Sequence, residues 1–489
     1  MTERAERHSL PALIAALRRE DLLVAAPAAV PALSAISTDS RRVGPGALYI
    51  AVRGSATDGH RFVRDAAAAG AAALVVETPQ GLDVPEVVVR DGRAAALAIA
   101  RAWYGDPGQS LTLIGITGTN GKTTTAGLVR HLLNAAGTSA SIGTLGAFDG
   151  GGREVPSTAG SLTTPGAIDL QATLAALRER GTEFVAMEAS SHSLDQGRLD
   201  GLAFAAAVYT NLTRDHLDYH ATMEAYLTAK LRLSTYLRLD GTEVVNLDDD
   251  AWRALPPRGP RLTFGLDPAA DVQASEVHLD AAGSSFRLRT PFGAAEARLP
   301  LLGDFNVPNA LAAAAVALAL GRKLDEVVTR LAAAPQVPGR MERIADRPCV
   351  VLRDYAHTPD ALERALATLR PLTAGRLIVV FGCGGDRDRG KRPIMGRIAA
   401  TGADLPIVSS DNPRTEDPDA IIDDVVQGMG TSDFVRIADR RAAIARALAE
   451  ARHGDTVLLA GKGHETYQVV GTVKQPFDER EIVAGMLEG

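Results

Sequence analysis

The chain has 489 residues, of which 46% are hydrophobic, 4% aromatic and 23% charged, and its formal net charge at pH 7 is −7. This composition is typical of a folded protein and argues against disorder, and the length suggests about three domains. The acidic balance, with no long run of Lys or Arg, argues against a nucleic-acid-binding protein. The two cysteines, Cys349 and Cys383, form neither a disulfide framework nor a zinc-site spacing, which is typical of a reducing compartment.

Two features of the sequence indicate where in the cell the protein works. Residues 1–20 mix charged and apolar side chains, unlike a signal peptide, and the longest uncharged apolar helix, near residues 310–320, is too short to cross a bilayer. We therefore expect a cytoplasmic monomer that does not bind a membrane.

Three α/β segments follow one another along the chain. Residues 1–107 alternate short apolar strands with a helical segment, and they end at a Gly-Pro turn. Residues 108–335 predict a mostly parallel sheet covered by helices around a glycine loop. Residues 336–489 begin at a linker-like segment and predict a doubly wound, Rossmann-like domain. The predicted fold class is α/β, with three domains.

A glycine loop at residues 115–125 (GITGTNGKTTT) lies between an apolar run and a helical pattern, which is the order of a nucleotide phosphate site. Glycines let backbone N–H groups surround phosphate oxygens, Lys122 supplies a positive charge, and the Thr123 hydroxyl can ligate Mg²⁺. Because position 116 is Ile, the spacing favours amide-forming ligases over GTPases and motors. The predicted ATP-binding residues of the loop are Gly118, Thr119, Asn120, Gly121, Lys122, Thr123 and Thr124.

Three further motifs accompany the loop: residues 187–192 (MEASSH), 210–220 (TNLTRDHLDYH) and 229–231 (AKL). Together with the loop they make the chain resemble the Mur ligases, over all three domains. The resemblance implies an ATP-dependent ligase of peptidoglycan synthesis, and thereby a role in cell shape and division. In such a reaction ATP phosphorylates the free D-Glu carboxylate of UDP-N-acetylmuramoyl-L-alanyl-D-glutamate, and an amine then displaces phosphate.

The resemblance also implies the catalytic and metal-binding residues. Glu188, at a strand end, would hold Mg²⁺ with Thr123, and His216 would bind a second Mg²⁺. Lys230 would be carbamylated by CO₂ to N6-carboxylysine and bind the same second metal. The predicted catalytic residues are Lys122, Glu188, His216 and Lys230. Taken alone, Glu188 could instead be a surface carboxylate, His216 an ordinary loop histidine and Lys230 a solvated lysine on a helix.

More ATP contacts are implied in two later motifs. Asn306 would lie near the adenine, Arg340 and His357 near the phosphates, and Asp354 would accept hydrogen bonds from the ribose. Taken alone, Asp354 could instead cap the helix that follows it.

The identity of the added amino acid is predicted from residues 410–414 (SDNPR). Arg414 follows an apolar strand, and its planar guanidinium suits the second carboxylate of meso-2,6-diaminopimelate, which lysine lacks. The Asp-Asn-Pro-Arg form resembles diaminopimelate-adding members of the family, with a lysine-adding enzyme as the alternative. The implied amino-acid-binding residues are Arg387, Asp411, Asn412, Pro413, Arg414, Gly461 and Glu465.

The nucleotide-sugar contacts are implied by resemblance as well. In the first domain they are Thr38, Ser40, Ser55, Ala56 and Thr57, in segments that could equally be ordinary turns. In the central domain they are Thr163, Thr164, Ser190, Gln196 and Arg198. Of these, Thr163 and Thr164 could instead cap a helix.

Two other functions fit parts of the pattern. A folylpolyglutamate synthetase-like ligase would share the phosphate loop and the lysine, but it should lack the Asp-Asn-Pro-Arg loop and the N-terminal module. A nucleotide-binding switch or scaffold would need no amino-acid pocket.

Overall fold

A computed structural model describes residues 8–54, 57–156 and 162–488. Within these residues the chain forms two compact units. The first comprises the residues up to Phe264 together with Ala312–Arg322, and the second comprises Gly265–Leu311 and Lys323–Gly489. None of the described helices combines the length and the hydropathy needed to span a bilayer.

The first unit begins with a five-stranded sheet in the order β1-β5-β4-β3-β2, parallel except for β1. Its strands are β1 (Leu23–Ala25), β2 (Ala35–Ser37), β3 (Ala47–Ile50), β4 (Ala73–Val76) and β5 (Glu86–Val89). Its helices are α1 (Leu10–Arg19), α2 (Val63–Ala68) and α3 (Gly92–Tyr104). Helix α3 begins where the Asp91 carboxylate accepts hydrogen bonds from two backbone N–H groups and ends at Gly105, in the left-handed region at φ +69°.

A larger sheet follows in the same unit, with the order β12-β11-β10-β6-β9-β7-β8 and only β8 antiparallel. Its strands are β6 (Thr112–Thr117), β7 (Ser139–Gly143), β8 (Gly146–Phe148), β9 (Phe184–Glu188), β10 (Phe204–Tyr209), β11 (Leu237–Asn246) and β12 (Arg261–Gly265). The helices are α4 (Lys122–Leu133), α5 (Ala167–Glu179), α6 (Ser191–Asp195), α7 (Leu217–His220) and α8 (Met223–Leu231). Because β6, β9 and β10 are parallel neighbours, the segments that follow them start at one edge of the sheet.

The second unit contains an antiparallel meander and a second mostly parallel sheet. The meander comprises β13 (Val272–Asp280), β14 (Gly283–Thr290) and β15 (Gly293–Leu299). The sheet has the order β16-β17-β21-β18-β19-β20, with β16 antiparallel to β17. Its strands are β16 (Glu342–Ala345), β17 (Val350–Asp354), β18 (Leu377–Phe381), β19 (Leu405–Val408), β20 (Val435–Arg436) and β21 (Thr456–Ala460). A hairpin, β22 (Tyr467–Val470) with β23 (Val473–Pro476), follows.

The remaining helices start with α9 (Asn306–Ala319) and α10 (Leu324–Ala332). Five more flank the strands of the second sheet: α11 (Pro359–Leu369), α12 (Lys391–Gly402), α13 (Pro418–Val426), α14 (Arg440–Glu450) and α15 (Glu479–Glu488). Short 3₁₀ turns occupy Ser40–Arg42, Gly59–Phe62, Pro107–Ser110, Arg232–Tyr236, Asp250–Ala254 and Arg370–Leu372.

The α/β class with mostly parallel sheets is confirmed, because β6, β18 and β21 are almost wholly buried strands of the kind that helices cover on both faces. Helix α8 stops at Leu231, and the 3₁₀ turn Arg232–Tyr236 buries Leu233 before β11 begins. The domain boundaries at 107 and 335 stay predictions.

Candidate active site

The glycine loop after β6 is fixed against the end of β10. A β-carbon at Gly118, whose φ is +150°, would lie 1.8 Å from Thr210 Oγ1, so only glycine fits there. The Thr119 N–H donates to the Asn211 carbonyl at 2.7 Å, and Thr210 Oγ1 donates to the Asn120 carbonyl at 2.7 Å. The loop therefore has a defined conformation, in which Gly118 is buried against β10 and Gly121 is half-buried.

Lys122 is the first residue of α4. Its Nζ donates to the Gly118 carbonyl at 3.0 Å and to the Thr119 carbonyl at 2.8 Å, so the ammonium group lies over the loop. Thr123 and Thr124 follow in the first helical turn, 8% and 5% exposed. The positive charge, the helix N-terminus and the glycine backbone together favour an anion such as a triphosphate.

Lys230 lies on α8 and is 1% exposed, so the solvated alternative for this lysine is wrong. Its Nζ donates to the Gly118 carbonyl at 2.7 Å and lies 4.4 Å from the centroid of the Tyr226 ring. Burial, and next the nearby Lys122 charge, lower the pKa of Lys230 well below its ordinary value of 10.5. The side chain therefore favours the neutral amine, which is the form that reacts with CO₂.

Glu188 ends β9 and is 2% exposed, so it is not a surface carboxylate. Its Oε1 accepts a hydrogen bond from the Thr144 N–H at 2.9 Å, and its Oε2 lies 3.1 Å from Thr144 Oγ1. Thr144 Oγ1 also lies 3.2 Å from Thr163 Oγ1. The carboxylate is thus oriented at the same sheet edge as the glycine loop.

His216 adopts a left-handed backbone conformation, with φ +53°, at the start of α7. His216 is exposed on one side, and the partial loss of solvent around its ring, reinforced by the charges of Lys122 and Lys230 and opposed by Asp215, lowers its pKa. The ring of His192 lies 4.9 Å away, centroid to centroid. At neutral pH the His216 imidazole is therefore neutral and has a nitrogen lone pair that a metal can use.

The residues predicted to bind metal do not form a complete protein site. Across residues 8–54, 57–156 and 162–488, no three His, Cys, Asp or Glu side chains are placed to hold a metal ion. Mg²⁺ prefers oxygen ligands and commonly combines one or two carboxylates with phosphate oxygens. The Thr123 hydroxyl and the Glu188 carboxylate supply oxygens of that kind, so the residues present suit Mg²⁺ bound together with a nucleotide.

The central-domain residues predicted to contact the nucleotide sugar lie close together. Thr164 Oγ1 donates to the Glu188 carbonyl at 2.8 Å and lies 3.2 Å from Ser190 Oγ. The Arg198 guanidinium donates to the Thr164 carbonyl at 2.9 Å and to Gln196 Oε1 at 2.6 Å. The N-cap residue of α5 is Gly166, and no described side chain caps the helix, so the capping alternative for the threonines at 163 and 164 is wrong.

The residues of the first domain that were predicted to contact the nucleotide sugar do not form a comparable group of hydrogen-bonded side chains among the described residues. Thr38 and Thr57 are exposed, and Ser40 opens the 3₁₀ turn that the Asp39 carboxylate caps. Ser55 and Ala56 lie outside the described residues. The ordinary-turn alternative therefore stays open for this group.

Sequence reasoning missed Arg93, in the first turn of α3. Its guanidinium donates to the Gln196 carbonyl at 3.1 Å and to the Arg53 carbonyl at 3.0 Å. It therefore ties Arg53 to the segment that carries Arg198. The available signal was only an arginine placed two residues after a capping aspartate.

In the second unit, Asp354 ends β17, and its Oδ2 accepts a hydrogen bond from the Met341 N–H at 2.6 Å. Burial raises the pKa of Asp354. Helix α11 is capped by Thr358, so the capping alternative for Asp354 is wrong.

The other ATP residues predicted in this unit have defined partners. The Arg340 guanidinium lies 4.8 Å from the Tyr355 ring centroid, and His357 Nδ1 lies 2.7 Å from the Tyr355 carbonyl oxygen. Asn306 is 3% exposed, and its Nδ2 donates to the Leu302 carbonyl at 2.7 Å. The structure thus gathers Arg340, Asp354 and His357 around Tyr355.

The amino-acid-binding candidates lie on loops that follow β18, β19 and β21. Asn412 Nδ2 donates to Glu465 Oε2 at 2.9 Å, and Gly461 faces the Asp411 carboxylate. Arg414 has φ +50°, and its guanidinium donates to the Gly385 carbonyl at 2.8 Å.

The remaining two candidates complete this group. Pro413 is buried beside Arg414, and Arg387 is exposed, on the loop whose Gly385 N–H donates to the Asn412 carbonyl at 2.9 Å. One sheet edge therefore carries two candidate cations, two carboxylates and an amide, a set that suits a zwitterion.

Glu416, also missed, joins two of these loops. Its carboxylate accepts hydrogen bonds from the Asp386 N–H at 2.6 Å, from Arg389 at 2.7 Å and from Arg392 at 2.8 Å. The hydrogen bonds from Arg392, followed by those from Arg389, lower the pKa of Glu416 to about 2. Nothing in its sequence neighbourhood distinguishes it from a solvated loop glutamate.

Comparison with protein families covers most of the chain. The model of the Mur ligase family, catalytic domain, matches residues 32–102, the Mur ligase middle domain matches 116–317, and the Mur ligase, glutamate ligase domain, matches 339–463. The chain is 49% identical over 469 residues to the UDP-N-acetylmuramoyl-L-alanyl-D-glutamate–2,6-diaminopimelate ligase of Synechococcus elongatus, covering 92% of this chain and 93% of the relative.

Solved structures agree with this relationship. A structure of a UDP-N-acetylmuramoyl-L-alanyl-D-glutamate–2,6-diaminopimelate ligase matches with 37% identity and a TM-score of 0.64, over 94% of this chain and 95% of that one. Mycobacterium tuberculosis folylpolyglutamate synthase complexed with ADP shares the fold, with 19% identity, a TM-score of 0.63, and coverage of 75% of this chain and 91% of that one. The three family models and the long, closely similar relatives establish that this chain belongs to the Mur ligase family.

Proposed function

We propose that the chain is the ATP-dependent ligase that adds meso-2,6-diaminopimelate to UDP-N-acetylmuramoyl-L-alanyl-D-glutamate, with release of ADP and phosphate. The observation that carries this proposal is Arg414, a guanidinium held by its loop beside the cluster of Asp411, Asn412 and Glu465. Such a site places a guanidinium group that can pair with a ligand carboxylate next to carboxylates that can pair with a ligand ammonium group. The relatives that span nearly the whole chain carry the name of this activity, which supports the proposal.

The first chemical step would use the edge formed by β6, β9 and β10. The glycine loop and Lys122 would hold the triphosphate, and Lys122 would offset the charge that develops as the γ-phosphoryl group moves to the D-Glu carboxylate. Arg198 has the charge needed to orient the anionic nucleotide sugar. The protein's contribution is positioning and charge compensation, since the reaction needs no protein nucleophile.

Mg²⁺ would be held by Thr123, Glu188, His216 and a carboxylated Lys230, and it would supply positive charge next to the phosphates. For Lys230 the support is its burial and its lowered pKa, which favour the amine that CO₂ attacks. Carboxylation would also place an anion beside Lys122, so the two side chains would attract each other.

The second step needs an amino group next to the acyl phosphate. Glu465 and Asn412 would anchor an ammonium group of diaminopimelate, and Arg414 with Arg387 would receive the carboxylate that lysine lacks. We further propose that the enzyme works as a cytoplasmic monomer, and light scattering on the purified chain would check the oligomeric state.

Phosphate release tests this function directly. We expect release from ATP only with the nucleotide-muramyl dipeptide and an amino acid present, with meso-diaminopimelate preferred over L-lysine. Arg414→Ala should raise the KM for diaminopimelate by about 30-fold or more, because a buried carboxylate would lose its partner. Arg441→Ala, an exposed arginine on α14, is the matched control. Equal rates with lysine and diaminopimelate would contradict the assignment, and release with a folate substrate would favour the folylpolyglutamate alternative.

A further inference from the structure

Lys462 is a buried cation that the reaction steps above do not use. It is 0% exposed, and its Nζ lies 3.1 Å from Asn412 Oδ1, 3.3 Å from Glu465 Oε2 and 3.4 Å from Asp411 Oδ1. A lysine is almost never fully buried unless it is paired, and here all three of these partners belong to the candidate amino-acid site. It therefore fixes the relative positions of the loops after β19 and β21.

The formal charges of this cluster are informative. The carboxylates of Asp411 and Glu465 both pair with Lys462, at 3.4 Å and 3.3 Å, so two carboxylates share one ammonium group. This leaves carboxylate oxygens with which an incoming ammonium group could pair. Without Lys462 the two carboxylates would repel each other, and Asn412 would lose a donor to its amide oxygen.

The β22–β23 hairpin also holds residues 411–414. The Gln468 Nε2 donates to the Asp411 carbonyl at 2.6 Å, and the Val469 N–H donates to Asn412 Oδ1 at 2.9 Å. The Arg414 N–H donates to the Val469 carbonyl at 3.1 Å, and the Gly471 N–H donates to the Arg414 carbonyl at 2.7 Å. The hairpin therefore binds the backbone on both sides of Arg414, a residue in the uncommon left-handed region.

We propose that Lys462 and the β22–β23 hairpin, acting through Gln468, are positioning elements that set which amino acid the site accepts. The hairpin fixes the direction of the Arg414 guanidinium, and hence recognition of the second carboxylate. Lys462 fixes Glu465 and Asn412, and hence recognition of an amino group. This inference rests on the proposed ligase function.

The experiment compares Gln468→Ala with Gln475→Ala, its cross-strand neighbour in the hairpin, which is exposed. Gln468→Ala should raise the KM for meso-diaminopimelate about 5-fold, the effect of one lost hydrogen bond. It should lower kcat/KM for L-lysine less than that for diaminopimelate, because lysine lacks the carboxylate that Arg414 receives, and it should leave the KM for ATP unchanged. Gln475→Ala should leave all three constants unchanged.

A second variant tests the lysine. Lys462→Met should lower kcat/KM for both amino acids by about 100-fold, because it breaks a buried charge pair, while the KM for ATP stays unchanged. The inference fails if Gln468→Ala leaves discrimination between the two amino acids intact, or if it raises the KM for ATP as much as that for diaminopimelate. Failure of the ligase function itself would appear earlier, as wild-type protein that releases no phosphate in response to either amino acid.

Discussion

Two lysines near one carbonyl oxygen define the phosphate end of the site. Lys122 and Lys230 both donate to the Gly118 carbonyl, at 3.0 Å and 2.7 Å. Two ammonium groups this close repel each other, and the buried one yields its proton more readily. Sequence patterns predicted both residues, but only the structure shows that they share an acceptor.

Lys230→Ala should reduce activity by about 100-fold or more, the usual effect of removing a group that stabilises charge in a transition state. If the side chain acts as a carboxylate, short carboxylic acids in the medium should restore part of the rate. Phosphate-release assays with and without added acetate measure both effects. The exposed Lys323→Ala is the control, and loss of activity without any rescue would contradict the modified-lysine role.

Arg93→Ala should raise the KM for the nucleotide-muramyl dipeptide by about 10-fold, because the variant loses the hydrogen bonds to the Arg53 and Gln196 carbonyls. The KM for ATP and the KM for diaminopimelate should not change. Steady-state kinetics with each substrate varied in turn provide the measurement, and Arg18→Ala on the exposed surface of α1 serves as the comparison. An equal rise in all three constants would show that Arg93 only stabilises the fold.

At the scale of elements, the strands and the loops after them differ in how well sequence predicts them. Buried runs such as β18 (Leu377–Phe381) and β21 (Thr456–Ala460) are continuous apolar segments, so their positions follow from composition. The β22–β23 hairpin was missed because its strands are largely exposed and its partner is a loop. Its stability depends on contacts with residues 411–414, which no local pattern encodes.

The hydrogen bonds that Glu416 accepts from Asp386, Arg389 and Arg392 link two loops. They should make the free energy of unfolding depend on pH. The pKa of Glu416 is lowered to about 2 from an ordinary value of 4.5, so its contribution is present above about pH 4.5 and is lost as the pH falls toward about 2. Glu416→Gln should be less stable than wild type at pH 6, and the two proteins should converge in acid. Urea unfolding at several pH values measures this difference. Glu363→Gln, on the exposed face of α11, should show no such convergence, and a gap for Glu416→Gln that stays constant with pH would refute the linkage.

At the scale of the whole molecule, the α/β class predicted from the sequence is confirmed, and candidate residues for each site could be named because motifs are local in the chain. It could not predict contacts such as Arg93 with Gln196 or Lys462 with Asn412, which join residues 103 and 50 positions apart. Those contacts depend on the order of strands within each sheet, and no local pattern in the sequence specifies that order.

The candidate sites divide between the two compact units, and this division has a measurable consequence. The nucleotide-sugar residues Thr164, Gln196 and Arg198 belong to the first unit, whereas Arg414 and Glu465 belong to the second. A ligand slows amide exchange first in the segments that it contacts, because it suppresses their local opening. Hydrogen exchange should therefore show protection of residues 163–166 and 190–198 by the nucleotide-muramyl dipeptide, and of residues 410–416 and 461–471 by diaminopimelate. Arg414→Ala should abolish only the second effect, and protection of the first unit by diaminopimelate alone would overturn this assignment.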